Sequence, residues 1–77
     1  MITPAQVRGA RAMLELTQTD LAKAAGISKT AVVDFETSLS KPKASTITSI
    51  QRALEDAGVI FVEENGEGPG VRLKKER

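Results

Sequence analysis

The chain has 77 residues with eleven Lys/Arg against ten Asp/Glu, a net charge of +1, and it contains no Cys, His, Trp or Tyr. That length holds one domain with a small core, which a second subunit or a partner is expected to complete. Without Cys there is no disulfide scaffold, thiolate zinc site or Cys nucleophile, and without His the usual general base and metal ligand are missing as well, so no catalytic residue, cofactor or metal is expected.

In chain order, Thr3-Pro4 is a helix start. A Thr oxygen accepts an orphan amide hydrogen bond, and Pro has no amide to leave unpaired at the first helical position. A first helix is predicted over residues 4–16, with Val7, Ala10 and Leu14 on one buried stripe. Thr17 caps a short second helix, residues 18–25, whose Leu21, Ala22 and Ala25 share a face. Gly26 ends it. Ser28 caps a third helix over residues 29–38, with Val32 and Phe35 inward. After the polar loop Ser40-Lys41-Pro42-Lys43, Ser45 opens a fourth helix through Ala57. Its Ile47, Ile50 and Leu54 point inward, and Gly58 stops it.

The pattern then changes period. "VIFVE" (59–63) is β-branched and aromatic, "NGEGPG" (65–70) is turn chemistry, and "VRLKK" (71–75) alternates apolar and basic, which together predict a β-hairpin. Lys74 to Arg77 read as a frayed basic tail. The organisation is a helical unit over 1–58, a hairpin over 59–75 belonging to the same domain, and a tail at 76–77. Val59 and Phe61 face one way along the strand and Ile60 and Val62 the other, yet all four are apolar. One face packs on the helices. The other, with Ile60 and Val62, is expected to form a homodimer interface.

Charge is unevenly spread. Residues 1–50 hold the basic excess, with Arg8, Arg11, Lys23, Lys29, Lys41 and Lys43 against Glu15, Asp20, Asp34 and Glu36. Four of the remaining acids form adjacent pairs, Glu55-Asp56 and Glu63-Glu64, whose side chains diverge and read as solvated surface. No apolar run approaches a membrane span and no signal-peptide pattern opens the chain, so a cytoplasmic location is expected.

Two short helices joined through a glycine form a helix-turn-helix. Small Ala22 sits where the helices approach, and Ile27, Val32 and Phe35 lie beneath. Gly26 supplies a backbone conformation that a Cβ penalises, Ile27 plugs the turn into the core, and Ser28, Lys29 and Thr30 are turned outward. At these residues the sequence "TQTDLAKAAGISKTAVVDFE" resembles the phage-repressor (XRE/Cro-like) family. Its pattern of Gln18, Leu21-Ala22, Gly26-Ile27-Ser28, Val32 and Phe35-Glu36 is present at the right spacing. The flanks resemble a compact bacterial subgroup with a C-terminal hairpin.

The resemblance implies a mostly α, lambda-repressor-like fold of four helices plus a β-hairpin, and a partner in double-stranded DNA. It implies that Gln18 and the amides around it hold a phosphate. Ser28, Lys29 and Thr30 enter the major groove, with Val33 and Asp34 one turn further along. Lys41 and Lys43 straddle the backbone, and Arg11 pairs with Glu36 inside the domain. Where the family has a glycine after the Glu of the third helix, this chain has Thr37-Ser38-Leu39, which leaves the loop conformation and a phosphate contact from Thr37 open. Lys29 and Lys43 are alternatively plain surface charges, Val33 a packing residue, and Asp34 either an acceptor from a cytosine amino group or a bystander.

The function these readings favour is a sequence-specific DNA-binding regulator acting as a dimer on an operator. The alternative is a protein-interaction module, or an antitoxin-like protein with a protein partner, on the same fold. With two Phe as the only aromatics there is no stacking platform for single strands, which disfavours RNA.

Overall fold

The computed structural model describes residues 2–39 and 41–75. Ser40 of the predicted loop and the tail residues 76–77 lie outside them. Four helices, α1 (Pro4–Leu14), α2 (Gln18–Ala25), α3 (Lys29–Thr37) and α4 (Ala44–Asp56), precede two antiparallel strands, β1 (Val59–Val62) and β2 (Gly70–Leu73).

Each of the first three helices starts on a side-chain cap. Thr3 and Gln6 form a reciprocal capping box at α1, Thr17 and Asp20 form another at α2, and Ser28 accepts from the Ala31 amide at α3. The same three helices end alike. Glu15, Gly26 and Ser38 each take left-handed backbone angles. The next residue then reaches back, with the Leu16, Ile27 and Leu39 amides donating to the Arg11, Ala22 and Asp34 carbonyls. This is the Schellman closure, which satisfies carbonyls the helix leaves unpaired.

That closure corrects two predicted boundaries. α1 stops at Leu14, two residues before the predicted Leu16, because Glu15 turns left-handed and sends half-buried Leu16 against the core. α3 stops at Thr37, with Ser38 as its cap. At α4 the prediction of Ser45 as the cap also fails. The helix begins at Ala44, Lys43 holds the cap position, and no side-chain hydrogen bond closes it. α4 ends at Asp56 with Ala57 as C-cap, one residue short of the predicted end.

Val7, Leu21, Val32, Ile50 and Leu54 are fully buried, and Ile2, Ala10, Ala22, Phe35, Ile47 and Val59 complete the core that all four helices and β1 share. Leu14 and Ala25, also read as inward, are only half-buried. The hairpin pairs Val59 with Leu73, Ile60 with Arg72, Phe61 with Val71 and Val62 with Gly70, so β1 spans its apolar run and both strands stop short of the charged residues Glu63 and Lys74. Its loop folds around one carboxylate, with Glu64 Oε2 accepting from the Gly66 and Gly68 amides at 2.8 and 3.1 Å.

Gln6 ties the hairpin to α1. Its Oε1 accepts from the Thr3 amide at 2.8 Å, and its Nε2 donates to the Val62 and Gly70 carbonyls at 3.2 and 2.9 Å. A buried polar side chain is thereby satisfied at three points on three segments. The same helix packs against β2 at Gly9, where a Cβ would make an ordinary contact with Val71 Cγ2 at 3.4 Å.

At Gly26 a Cβ would meet nothing within 4 Å, so substitution strains the backbone without a clash. Gly26→Ala is predicted to destabilise by about 1–2 kcal/mol and Gly26→Asn by less, measured by urea unfolding; a neutral Gly26→Ala would contradict this account of the turn. At the start of α2, the Thr17 amide donating to the carboxylate and the Thr17 hydroxyl together hold the Asp20 carboxyl below its ordinary range. A depressed folded-state value stabilises the fold above the unfolded value of about 3.9, and the contribution is lost as pH falls through the folded value. The melting-temperature gap between wild type and Asp20→Ala is therefore predicted to be present at neutral pH and to narrow in acid, as pH falls from the ordinary carboxylate range through the depressed folded-state value. A gap that persists undiminished in acid would contradict it.

Candidate nucleic-acid interface

The buried Glu36 carboxylate, 3% exposed, gathers the first three helices at one point. Arg11 from α1 meets it two-pronged, Nε to Oε2 at 2.7 Å and a terminal nitrogen to Oε1 at 2.8 Å. Gln18 from the start of α2 donates its Nε2 to Oε1 at 3.2 Å. The other Arg11 terminal nitrogen donates to the Leu16 carbonyl at 3.0 Å, pinning the α1–α2 connection. Arg8 donates to the Glu36 carbonyl oxygen, one of the last acceptors of α3. The hydrogen bond and charge of Glu36 raise the Arg11 guanidinium above its ordinary value against the opposing effect of burial.

This arrangement fixes what α3 presents. With Phe35 and Glu36 held inward, Ser28, Lys29 and Thr30 stand exposed at its N-terminal end, and Val33 and Asp34 are half-buried one turn on. Asp34 lies in a cleft of about 280 Å³ between α3 and the start of α4, lined also by Ala31, Phe35, Pro42, Lys43 and Thr46. Among the described residues Arg11–Glu36 is the one ion pair, so Asp34 and Lys43 share that cleft without a salt bridge. Lys41 and Lys43 are exposed. Exposed Thr37 turns its hydroxyl back to donate to the Val33 carbonyl at 2.8 Å. Ser38, at φ 58°, adopts the left-handed conformation for which the family pattern has a glycine.

Gln18 occupies a different place from a freely exposed phosphate ligand. It is half-buried, and its side chain serves Glu36. What α2 offers outward at that end are the first backbone N–H groups, which have no intrahelical acceptor. The uncapped start of α4, beside Lys43, offers a second such set. Two roles escaped sequence reasoning. Arg8 gave no signal beyond its spacing from Arg11, and Gln6 only its place three residues after Thr3, which marks a capping box but not the bridge to the hairpin. Among the described residues no group of three or more His, Cys, Asp or Glu is placed to hold a metal ion, and no helix is long and apolar enough to cross a membrane.

The helix-turn-helix family model matches residues 7–55, more than half of the chain and every helix that contributes to this surface. None of the curated proteins matches the chain.

The two sides of the ion pair are unequally wet, with the Arg11 side chain 20% exposed and that of Glu36 2%. Arg11→Met strands a carboxylate that water cannot reach, whereas Glu36→Gln leaves a guanidinium that can rehydrate. Arg11→Met is predicted to lose about 3–5 kcal/mol and Glu36→Gln clearly less, with positive coupling in the double-mutant cycle by urea unfolding. Equal losses, or zero coupling, would remove the pair from its structural role.

Proposed function

Because the chain belongs to the phage-repressor (XRE-type) helix-turn-helix family, whose members are DNA-binding regulators, we propose that it is a sequence-specific, double-stranded DNA-binding transcriptional regulator acting on an operator as a homodimer. The observation that carries this reading is the exposed row Ser28, Lys29 and Thr30 at the head of α3, turned outward by the Gly26 closure and backed by the Glu36 network. α3 is the reading helix. Lys29 and Thr30 face base edges, and Val33 offers a methyl surface to thymine. Asp34, recessed in its cleft, is a poor partner for phosphate and at most an acceptor for a cytosine amino group.

Phosphates are held on either side. The Gln18 and Thr19 amides at the head of α2, with the remaining Gln18 amide hydrogen, take one. Lys41, Lys43 and the uncapped head of α4 take the other. Thr37 is the weakest of the expected contacts, because its hydroxyl hydrogen is already spent on Val33. Scale supports the dimer reading. The molecule is 32 Å in its longest extent and carries one reading helix, while two half-sites lie ~34 Å apart. The hairpin face with exposed Ile60 and half-buried Val62 is the proposed interface.

A second reading, a module that binds a protein partner in the manner of an antitoxin, draws on the near-neutral charge and on Leu39. That residue is 75% exposed beside an apolar groove lined by Ile2, Pro4, Phe35, Pro42 and Ile47. Duplex binding separates the two. With duplexes selected from a random pool, affinity is expected to fall steeply with salt. Lys29→Ala and Thr30→Ala are each expected to lose ~1–3 kcal/mol of binding to the selected duplex at unchanged melting temperature. Salt-independent binding, or both variants binding like wild type, would refute the assignment of α3.

A further inference from the structure

The turn between the two strands takes no part in the surface assigned to DNA. It holds Asn65, the only asparagine of the chain, followed by Gly66. Both residues are exposed. When the backbone nitrogen after an asparagine attacks the side-chain amide carbon, a five-membered imide closes and ammonia leaves. Glycine in the second position hinders that attack least, because it has no Cβ. Around Gly66 the space is open as well, since a Cβ there would meet nothing within 4 Å.

Two hydrogen bonds of the turn fall on the atoms that this ring closure uses. The Gly66 N–H, whose nitrogen is the nucleophile, donates to Glu64 Oε2 at 2.8 Å, which is within reach for proton transfer to a base. Asn65 Oδ1, on the carbon under attack, accepts from the Glu67 amide at 3.3 Å. A donor there stabilises the negative charge that the oxygen acquires as the nitrogen adds. The Gly68 amide, at 3.1 Å, holds the same Glu64 oxygen in place. A base on the nucleophile and a donor on the electrophile are the elements of an acyl-transfer site, and residues 64–67 bring them together in one turn.

We propose that Asn65 is a self-modification site, at which Glu64 drives conversion of the asparagine to aspartate and isoaspartate in the folded chain. The Gly66 nitrogen adds to Asn65 Cγ while its proton passes to Glu64 Oε2. The Cγ–Nδ2 bond then breaks, Nδ2 takes that proton and leaves as ammonia, and Glu64 is a carboxylate again. Water opens the imide at Cγ to give aspartate, or at the Asn65 main-chain carbonyl carbon to give isoaspartate, which puts Cβ into the backbone. Either product adds one negative charge and takes the net charge from +1 to zero. Gln6 clamps the Val62 and Gly70 carbonyls at the mouth of the turn, so the change is confined to the turn and the fold is kept. The conversion runs one way, and the converted fraction marks the age of the chain.

The test follows the full chain at neutral pH by peptide mapping, with mass spectrometry resolving asparagine, aspartate and isoaspartate at position 65. Folded wild type is expected to convert roughly tenfold faster than the same chain unfolded in urea, the modest end of what a positioned general base supplies. Glu64→Gln keeps an acceptor for the Gly66 and Gly68 amides but removes the base. At unchanged melting temperature it is expected to lose the whole advantage, and its rate to rise in proportion to hydroxide, whereas that of wild type rises less steeply with pH. A folded wild type that converts no faster than the unfolded chain overturns the proposal, as does a Glu64→Gln variant that converts like wild type or faster. Asn65→Asp, which installs one product directly, is expected to melt like wild type. A clear loss of stability in that variant overturns the confinement of the change to the turn.

Discussion

The structure depends on one buried carboxylate. Among the described residues Glu36 is the single point at which α1, α2 and α3 are joined by directional bonds, through Arg11, Gln18 and its own helix. Apolar contacts among Val7, Leu21, Val32 and Phe35 hold these helices together, but such contacts are non-directional and tolerate small rotations. A two-pronged guanidinium–carboxylate contact does not tolerate them. The network therefore sets the rotation of α3 about its axis, and with it which residues face solvent. A buried pair of this kind contributes little net stability compared with apolar side chains of similar volume, so its value here lies in orientation.

The chain ends of these helices serve the same purpose. The Schellman closures at Glu15, Gly26 and Ser38 turn the backbone within one residue, which keeps the connections short and the helix ends satisfied. Two of the three send an apolar residue, Leu16 or Ile27, back onto the core. The third leaves Leu39 in solvent. That exception falls where the chain leaves α3 for Lys41 and Lys43, so the surface beside α3 combines an apolar side chain with two exposed lysines.

Much of this was legible in the sequence because the signals were local. Thr3, Thr17 and Ser28 announce helix starts through hydrogen bonds only three residues long, and Ile47, Ile50 and Leu54 repeat at helical spacing. The helix-turn-helix followed from fixed spacing around Gly26, and its internal pair of Arg11 and Glu36 from the family resemblance. The misses were of two physical kinds. Left-handed residues other than glycine, Glu15 and Ser38, gave no warning of where α1 and α3 stop, since nothing in their side chains demands that conformation. Long-range polar contacts were invisible as well. Gln18 bonds to Glu36, and Gln6 and Arg8 join segments far apart in the chain.

The central claim is that this network presents the head of α3, flanked by the heads of α2 and α4, to duplex DNA. An amide chemical-shift titration of the isotope-labelled chain with a selected duplex tests it most directly. The account predicts the largest changes at Ser28 to Val33, with further changes at Gln18, Thr19 and Lys41 to Ser45, and little at β1 and β2. Changes confined to the hairpin or to the groove around Phe35 and Ile47, with α3 unmoved, would contradict it.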